Sequence, residues 1–231
     1  MKKIVTLFLI IALLLPVSAL AAGKLVATQE NFYVIHSWNS FYGYTFMKLE
    51  NTGNKPVEFS AGLFEIYDAN GDTLASDSSF TTYGRYVAPG EYIYAQINEE
   101  IKEIDNPDVV DDYMLTVTGK STNNELRKIT CTAEYKPDYQ YSKYSSGPYM
   151  FATFTNESED IVYGLRVVFA LLDDEDNILY IEGTSIYDSV GLHPGATVTA
   201  KCSVSDRFIE AYEKAGLKAT HVDAYAYYTV N

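Results

Sequence analysis

The chain has only two cysteines, one tryptophan and three histidines in 231 residues, and its 17 lysines and arginines are outnumbered by 31 acidic residues. Each scarcity excludes something. Two cysteines cannot build a disulfide-dense scaffold or a four-cysteine zinc site. A formal net charge of −14 argues against a nucleic-acid partner, because phosphate neutralisation needs clustered Lys and Arg. None of His36, His193 and His221 has a metal-ligand partner at helical or hairpin spacing, and neither H-E-x-x-H nor G-x-S-x-G occurs. No catalytic residue and no cofactor is therefore expected. Paired carboxylates are always found among so many acids, and their presence discriminates nothing.

Long apolar runs are also scarce. The one present, Ile4 to Leu15, is broken only by Thr6 and is shorter than the roughly 20 residues a spanning helix needs. Lys2 and Lys3 precede it, and Pro16 and the small-residue sequence Ala19-Leu20-Ala21 follow. This reads as a secretory signal peptide over 1–21, cut after Ala21. No membrane span is expected. The product beginning at Ala22 is expected to be secreted, either extracellular or associated with the cell envelope. Loss of Lys2 and Lys3 takes its net charge from −14 to −16.

What remains is 47% apolar and 21% charged overall, the composition of a folded globular protein. Shifted by 105 residues, the chain registers on itself. Ser40 falls on Ser145, Tyr44 on Tyr149, Phe46 on Phe151, Asn51 on Asn156, Val57 on Val162 and Phe64 on Phe169. Asp68 then falls on Asp173, Leu74 on Leu179, Pro89-Gly90 on Pro194-Gly195 and Ala95 on Ala200. The matches sit on turn residues and alternating apolar positions, which favours two homologous domains, 22–120 and 121–231.

Each half reads as a set of strands. Tyr44, Phe46 and Lys48 alternate with Thr45, Met47 and Leu49, and a strand from Val57 runs to Tyr67-Asp68. Asn70-Gly71 is a two-residue hairpin signal. Pro89-Gly90 turns the chain into the row Ile93, Ala95 and Ile97, whose counterpart is Val198, Ala200 and Cys202. A short helix from about Asp206 to Ala215 carries Phe208, Ile209 and Tyr212 on one face, with Asp206 as N-cap and Gly216 past its end. A weaker counterpart lies around Glu99 to Ile104. The expected fold class is all-β: two tandem immunoglobulin-like β-sandwich domains, each with a short helix before its last strand.

The segment Phe64-Glu65-Ile66-Tyr67-Asp68 resembles the signature of the FxLYD domain family, with isoleucine in place of leucine. Phe169-Ala170-Leu171-Leu172-Asp173 resembles it with leucine in place of tyrosine. The resemblance covers the central 60 or so residues of each half. It implies small immunoglobulin-like domains of secreted or surface-attached prokaryotic proteins, and the family brings no catalytic residues.

Three groups of side chains invite chemistry. Cys131 falls on Val26 and Cys202 on Ile97, so two inward apolar positions of the first half are cysteine in the second. A Cys131–Cys202 disulfide accounts for the joint replacement in an exported protein; two independent buried thiols are the alternative. Asp68, Asn70 and Asp72 alternate in one hairpin, and Asp173, Asp174 and Asp176 crowd the same hairpin of the second half. Alternating oxygen ligands suit calcium, but solvated carboxylates in a turn give the same pattern. Finally, Phe32, Tyr33, Trp38, Phe41, Tyr42 and Tyr44 crowd the entrance to the first half, and Tyr135, Tyr139, Tyr141, Tyr144 and Tyr149 that of the second. Such rings either cover core edges or form a contact surface. Trp38, Tyr42, Tyr139, Tyr141 and Tyr144 are the ligand-contact candidates, for an unknown protein or glycan of the cell surface. The expected function is non-catalytic binding or spacing through surface contact, with carbohydrate binding as the alternative and a secreted hydrolase as a further one.

Overall fold

Period-two alternation places successive side chains on opposite faces of a strand, and most of the chain adopts that form. The computed structural model describes residues 23–37, 39–186 and 190–229. The signal peptide read at 1–21 and the candidate Trp38 lie outside them.

The first half contains β1 (Leu25–Ser37), β2 (Ser40–Asn51), β3 (Val57–Asp68), β4 (Thr73–Asp77), β5 (Thr81–Tyr83), β6 (Tyr86–Val87), β7 (Tyr92–Ile101) and β8 (Val110–Ser121). The second contains β9 (Leu126–Thr130), β10 (Thr132–Ser142), β11 (Ser145–Thr155), β12 (Arg166–Leu172), β13 (Ile178–Ser185), β14 (Thr197–Ser203), the helix α1 (Asp206–Lys214) and β15 (His221–Thr229). All pairings between these strands are antiparallel, so the all-β expectation holds. In sheet I, β3 has β8 along one side and β4 and β6 along the other; sheet II has the order β1-β2-β7-β5. Sheet III has the order β13-β12-β15-β9 and sheet IV the order β10-β11-β14.

The sheets stack in that numerical order. Phe64, Ile66 and Val57 of sheet I meet Met47, Leu49, Ile93 and Ile97 of sheet II in one core. A second core runs from Tyr33, Phe46 and Tyr94 of sheet II, through sheet III, to Met150, Ala152 and Ala200 of sheet IV. Consequently β12 is buried on both faces from Val167 to Leu172, whereas β8 alternates half-buried and exposed residues.

The 105-residue period recurs in the hydrogen bonds. Asn51 is buried (1% exposed); its Nδ2 donates to the carbonyls of Lys55 (2.8 Å) and Val87 (2.9 Å), and its Oδ1 accepts from the Gly53 amide (3.0 Å). Asn156, equally buried, donates to the carbonyls of Asp160 and Leu192 (both 2.8 Å) and accepts from the Ser158 amide (3.0 Å). Each asparagine thus ties the end of one strand to the Pro-Gly turn. Gly90 and Gly195 take φ values of +75° and +74° in those turns, which favour glycine.

The FxLYD-like segments have a plain physical role. Phe64 and Phe169 point into the core, as do Ile66 and Leu171, while the terminal aspartates organise the following turn. The Asp68 carboxylate accepts from the amides of Asn70 and Asp72 (both 2.9 Å), and Asp173 accepts from those of Glu175 (3.0 Å) and Asn177 (2.8 Å). These hairpins are longer than the two-residue turn expected at Asn70-Gly71: β3 ends at Asp68 and β4 starts at Thr73. The side-chain turn stabilises the longer loop.

Two further expectations are corrected. The helix expected in each half forms only in the second, where Ser205 rather than Asp206 is the N-cap. In the first half β7 stays paired with β2 through Ile101, which occupies the backbone of Glu99 to Ile101 in the ladder. A 3-10 turn at Pro107–Val109 is all that precedes β8. The Cys131–Cys202 disulfide is absent, and both residues are free thiols. Cys131 adjoins β10 and Cys202 lies on β14, with β11 between those strands. Two inter-strand spacings are about 9–10 Å, beyond the roughly 7 Å Cα separation a disulfide bridges. Burial raises the Cys131 thiol to about 11 and pushes Cys202 further up, so the thiolate is scarce. Folded protein should alkylate slowly near about pH 8, and unfolding without reductant should release two thiols; recovery of none would restore the disulfide.

Candidate functional site

Sheets II and IV occupy equivalent places in the two halves, because β1, β2 and β7 correspond to β10, β11 and β14 at the 105-residue shift. Each has an inner face on its own core and an outer face bearing an aromatic pair, Tyr44 and Phe46 on β2 and Tyr149 and Phe151 on β11. The two outer faces have different fates.

That of sheet II is covered by the second half. Phe46, with no exposure, packs its ring 5.5 Å from Tyr180 and 5.2 Å from Phe208 of α1. Tyr44 meets Phe208 edge-on at 5.0 Å. Beside these rings, Tyr92 Oη (2.6 Å) and Tyr94 Oη (2.7 Å) both donate to Asp223 Oδ2, and Tyr225 Oη donates to the Tyr83 carbonyl (2.8 Å). Burial, then the Asp223 charge, push the Tyr94 phenol well above its ordinary value, so it stays a donor. Lys128 Nζ donates to the Tyr92 carbonyl and lies 4.2 Å from the Tyr92 ring centroid and 4.4 Å from that of Tyr225. This is an aromatic interface closed by a polar latch. It belongs to the fold and is not an open site.

The outer face of sheet IV has no such cover among the described residues. Tyr149 and Phe151 are half-buried, Tyr139 packs edge-on against both at 5.2 and 4.9 Å, and Tyr141 lies 5.5 Å from Tyr149. Lys201 Nζ stands over Tyr139 at 5.0 Å and Tyr149 at 5.5 Å, and Lys136 Nζ over Phe151 at 4.9 Å. Towards the other end of the face, rings give way to hydroxyls. Thr153 pairs with Thr199 and Thr155 with Thr197, their oxygens 2.8 Å apart in both cases, and Thr132 lies opposite Thr153 on β10. A groove of about 530 Å³ is lined by Thr132, Thr153 and Thr155 together with Arg127, Lys128 and Glu157.

The structure therefore separates the sequence candidates. Tyr139 and Tyr141 lie in this cluster, and Tyr141 is 50% exposed. Tyr144, 86% exposed, sits at the tip of the β10–β11 hairpin with Lys143 Nζ 5.2 Å from its ring. Tyr42 is half-buried on sheet II beside Tyr44 and takes no part in the sheet IV face. Sequence reasoning missed Lys201, Phe151 and the threonine rows. A signal was present, for Thr-x-Thr occurs within single strands at Thr153–Thr155 and Thr197–Thr199. The period of two puts both hydroxyls of each such pair on one face.

The calcium candidates are not brought together as a cage. Asp68 and Asp173 direct oxygens at backbone amides, which hold Asp68 below its ordinary range; the Asn177 side chain and backbone do the same for Asp173 against the opposing effect of burial. Asp176 Oδ1 accepts a hydrogen bond from His221 Nε2 at 2.9 Å, while Asn70 donates to Asp68 (3.2 Å) and Asp72 and Asp174 are exposed. Among the described residues no group of three His, Cys, Asp or Glu side chains is placed to hold a metal ion, and no helix is long and apolar enough to cross a membrane. Compared with protein-family models, with curated proteins and with solved structures, the chain has no match.

Proposed function

We propose that the chain is an exported, non-catalytic protein of two tandem immunoglobulin-like β-sandwich domains, 22–120 and 121–231, similar to FxLYD domains. It acts by surface contact at or outside the cell envelope, as a binding or spacer module, and the outer face of sheet IV is its contact face. One observation carries this reading. The equivalent face of the first half packs Phe46, fully buried, and Tyr44, half-buried, against the second half, whereas the second half keeps the pair, Tyr149 and Phe151 both half-buried, with no such cover among the described residues. The repeated asparagine and aspartate hydrogen bonds support the duplication. Carbohydrate is the favoured class of ligand, because hydroxyl rows adjoin the rings.

Labelled protein beginning at Ala22 should be retained on whole cells. The double substitution Tyr141→Ala/Phe151→Ala should cut retention about fivefold or more, the effect of losing central contact residues. Unchanged retention would remove the face from consideration. Turnover on a broad panel of hydrolase substrates would overturn the non-catalytic assignment.

A further inference from the structure

The two copies of the outer face differ in a chemically directed way. The buried copy carries Tyr92, Tyr94 and Gln96 on β7 and Lys48 and Glu50 on β2; the open copy carries Thr197, Thr199 and Lys201 on β14 and Thr153 and Thr155 on β11. Two rings have become hydroxyls, and an amide has become an ammonium. Tyr149 and Phe151 remain in the register of Tyr44 and Phe46. A face that docked another sheet would keep its apolar area. This one exchanges half of it for paired hydroxyls that both donate and accept.

A second copy of the chain fits poorly here. The sheet that would dock is sheet I, equivalent to sheet III. Where sheet III presents Asp223, Tyr225 and Tyr227, sheet I presents Met114, Thr116 and Thr118 at the same ladder positions. The tyrosine–aspartate latch has no counterpart on either side.

The charge on the face is the second indication. In a chain with a net charge of −14, Lys136 and Lys201 stand over one strip of rings, Phe151, Tyr139 and Tyr149, and Lys143 stands over Tyr144 at the hairpin tip. Lys201 and Lys143 pair with no carboxylate among the described residues, while Lys136 is 3.1 Å from Glu134. The ammonium groups lie over ring faces where a neutral sugar would stack, and they offer a charge partner to an acidic one. Arg127 and Lys128, which line the groove beside the threonines, are already paired with Glu125 (3.3 Å) and Glu91 (3.1 Å) and add no free charge there.

Resting on the reading of sheet IV as the contact face, we infer that this face binds an acidic polysaccharide, a carboxylate-bearing sugar polymer laid along β11 from Tyr149 to Thr155. That segment spans about 20 Å at roughly 3.3 Å per residue, room for several sugar units. Lys201 and Lys136 meet the carboxylates, Tyr149 and Phe151 cover the C–H faces, and the Thr153–Thr199 and Thr155–Thr197 pairs meet hydroxyls.

The test is affinity electrophoresis and calorimetry of the protein beginning at Ala22, with polygalacturonate as the acidic polymer and dextran as the neutral one. Polygalacturonate should retard the protein, and more weakly as salt screens the lysines. Lys201→Gln should weaken binding about tenfold, Lys201→Arg should restore most of it, and melting temperatures should confirm that both variants fold. Phe151→Ala should weaken binding as well. If dextran binds equally and Phe151→Ala abolishes both, the contact face stands and the acidic ligand is overturned. If light scattering shows dimers that Phe151→Ala dissolves, a second copy is the occupant and the polysaccharide is overturned. Absence of retardation by either polymer also overturns it, while retention on whole cells separately decides the contact face.

Discussion

Phe46→Ala should lower the unfolding free energy by about 3–5 kcal/mol, while Phe151→Ala, at the same place in the second half, should cost only about 1–2 kcal/mol. The two phenylalanines share strand position and their register with the neighbouring strand, β7 in one half and β14 in the other. They differ in what lies outside them. Phe46 is fully buried among Tyr33, Tyr180 and Phe208, so its removal leaves a cavity between the halves. Phe151 is half-exposed, and water fills the space its ring vacates. Because Phe46 belongs to a core that joins sheets II, III and IV, its loss should shift one cooperative urea transition. Equal costs at the two positions, or two transitions of which Phe46→Ala moves only one, would show that the halves do not share that core.

The second large effect is expected at the buried asparagines. Asn51→Ala and Asn156→Ala should each cost about 2–4 kcal/mol, since each leaves two carbonyls and at least one amide without their side-chain partner, one of the carbonyl bonds being fully buried in each case. The carbonyls of Lys55 and Val87 lose their donor in one case, those of Asp160 and Leu192 in the other. Aspartate should not rescue either position, because a carboxylate would face the same carbonyls without a donor. Denaturant titration of the three proteins measures this. A cost below about 1 kcal/mol at either site would mean that water replaces the side chain, and the structural reading of the repeated asparagine would fail.

Both predictions rest on the repeat, and the repeat was legible from residues alone. Asparagine at a strand end, aspartate at a hairpin and Pro-Gly at a turn are local solutions to local hydrogen bonding, so they keep their spacing when a segment is duplicated. The alternation of Thr45, Met47 and Leu49 with Tyr44, Phe46 and Lys48 likewise marks two faces of one strand. The helix at Asp206–Lys214 was legible for the same reason: its apolar residues recur at helical spacing and Gly216 follows its end.

A local pattern can serve two outcomes. The alternating acids at Asp68–Asp72 leave calcium and a solvated turn as alternatives, and in the structure the Asp68 carboxylate accepts from amides of the turn. The cysteines at 131 and 202 both replace apolar positions of the first half, but their strands flank β11 and cannot meet. Their spacing in sequence carries no information about which strand separates them.

The sequence by itself thus determined the all-β class, the 105-residue period, the Pro-Gly turns and the in-or-out assignment of most strand residues, because local hydrogen bonding and period-two alternation leave their mark on neighbouring residues. Only the tertiary structure decided which of two equivalent aromatic faces is covered. Tyr44 and Tyr149, or Phe46 and Phe151, look alike along the chain. Whether a second sheet lies over them depends on how the halves stack, and neither pair carries a signal of that in its own strand.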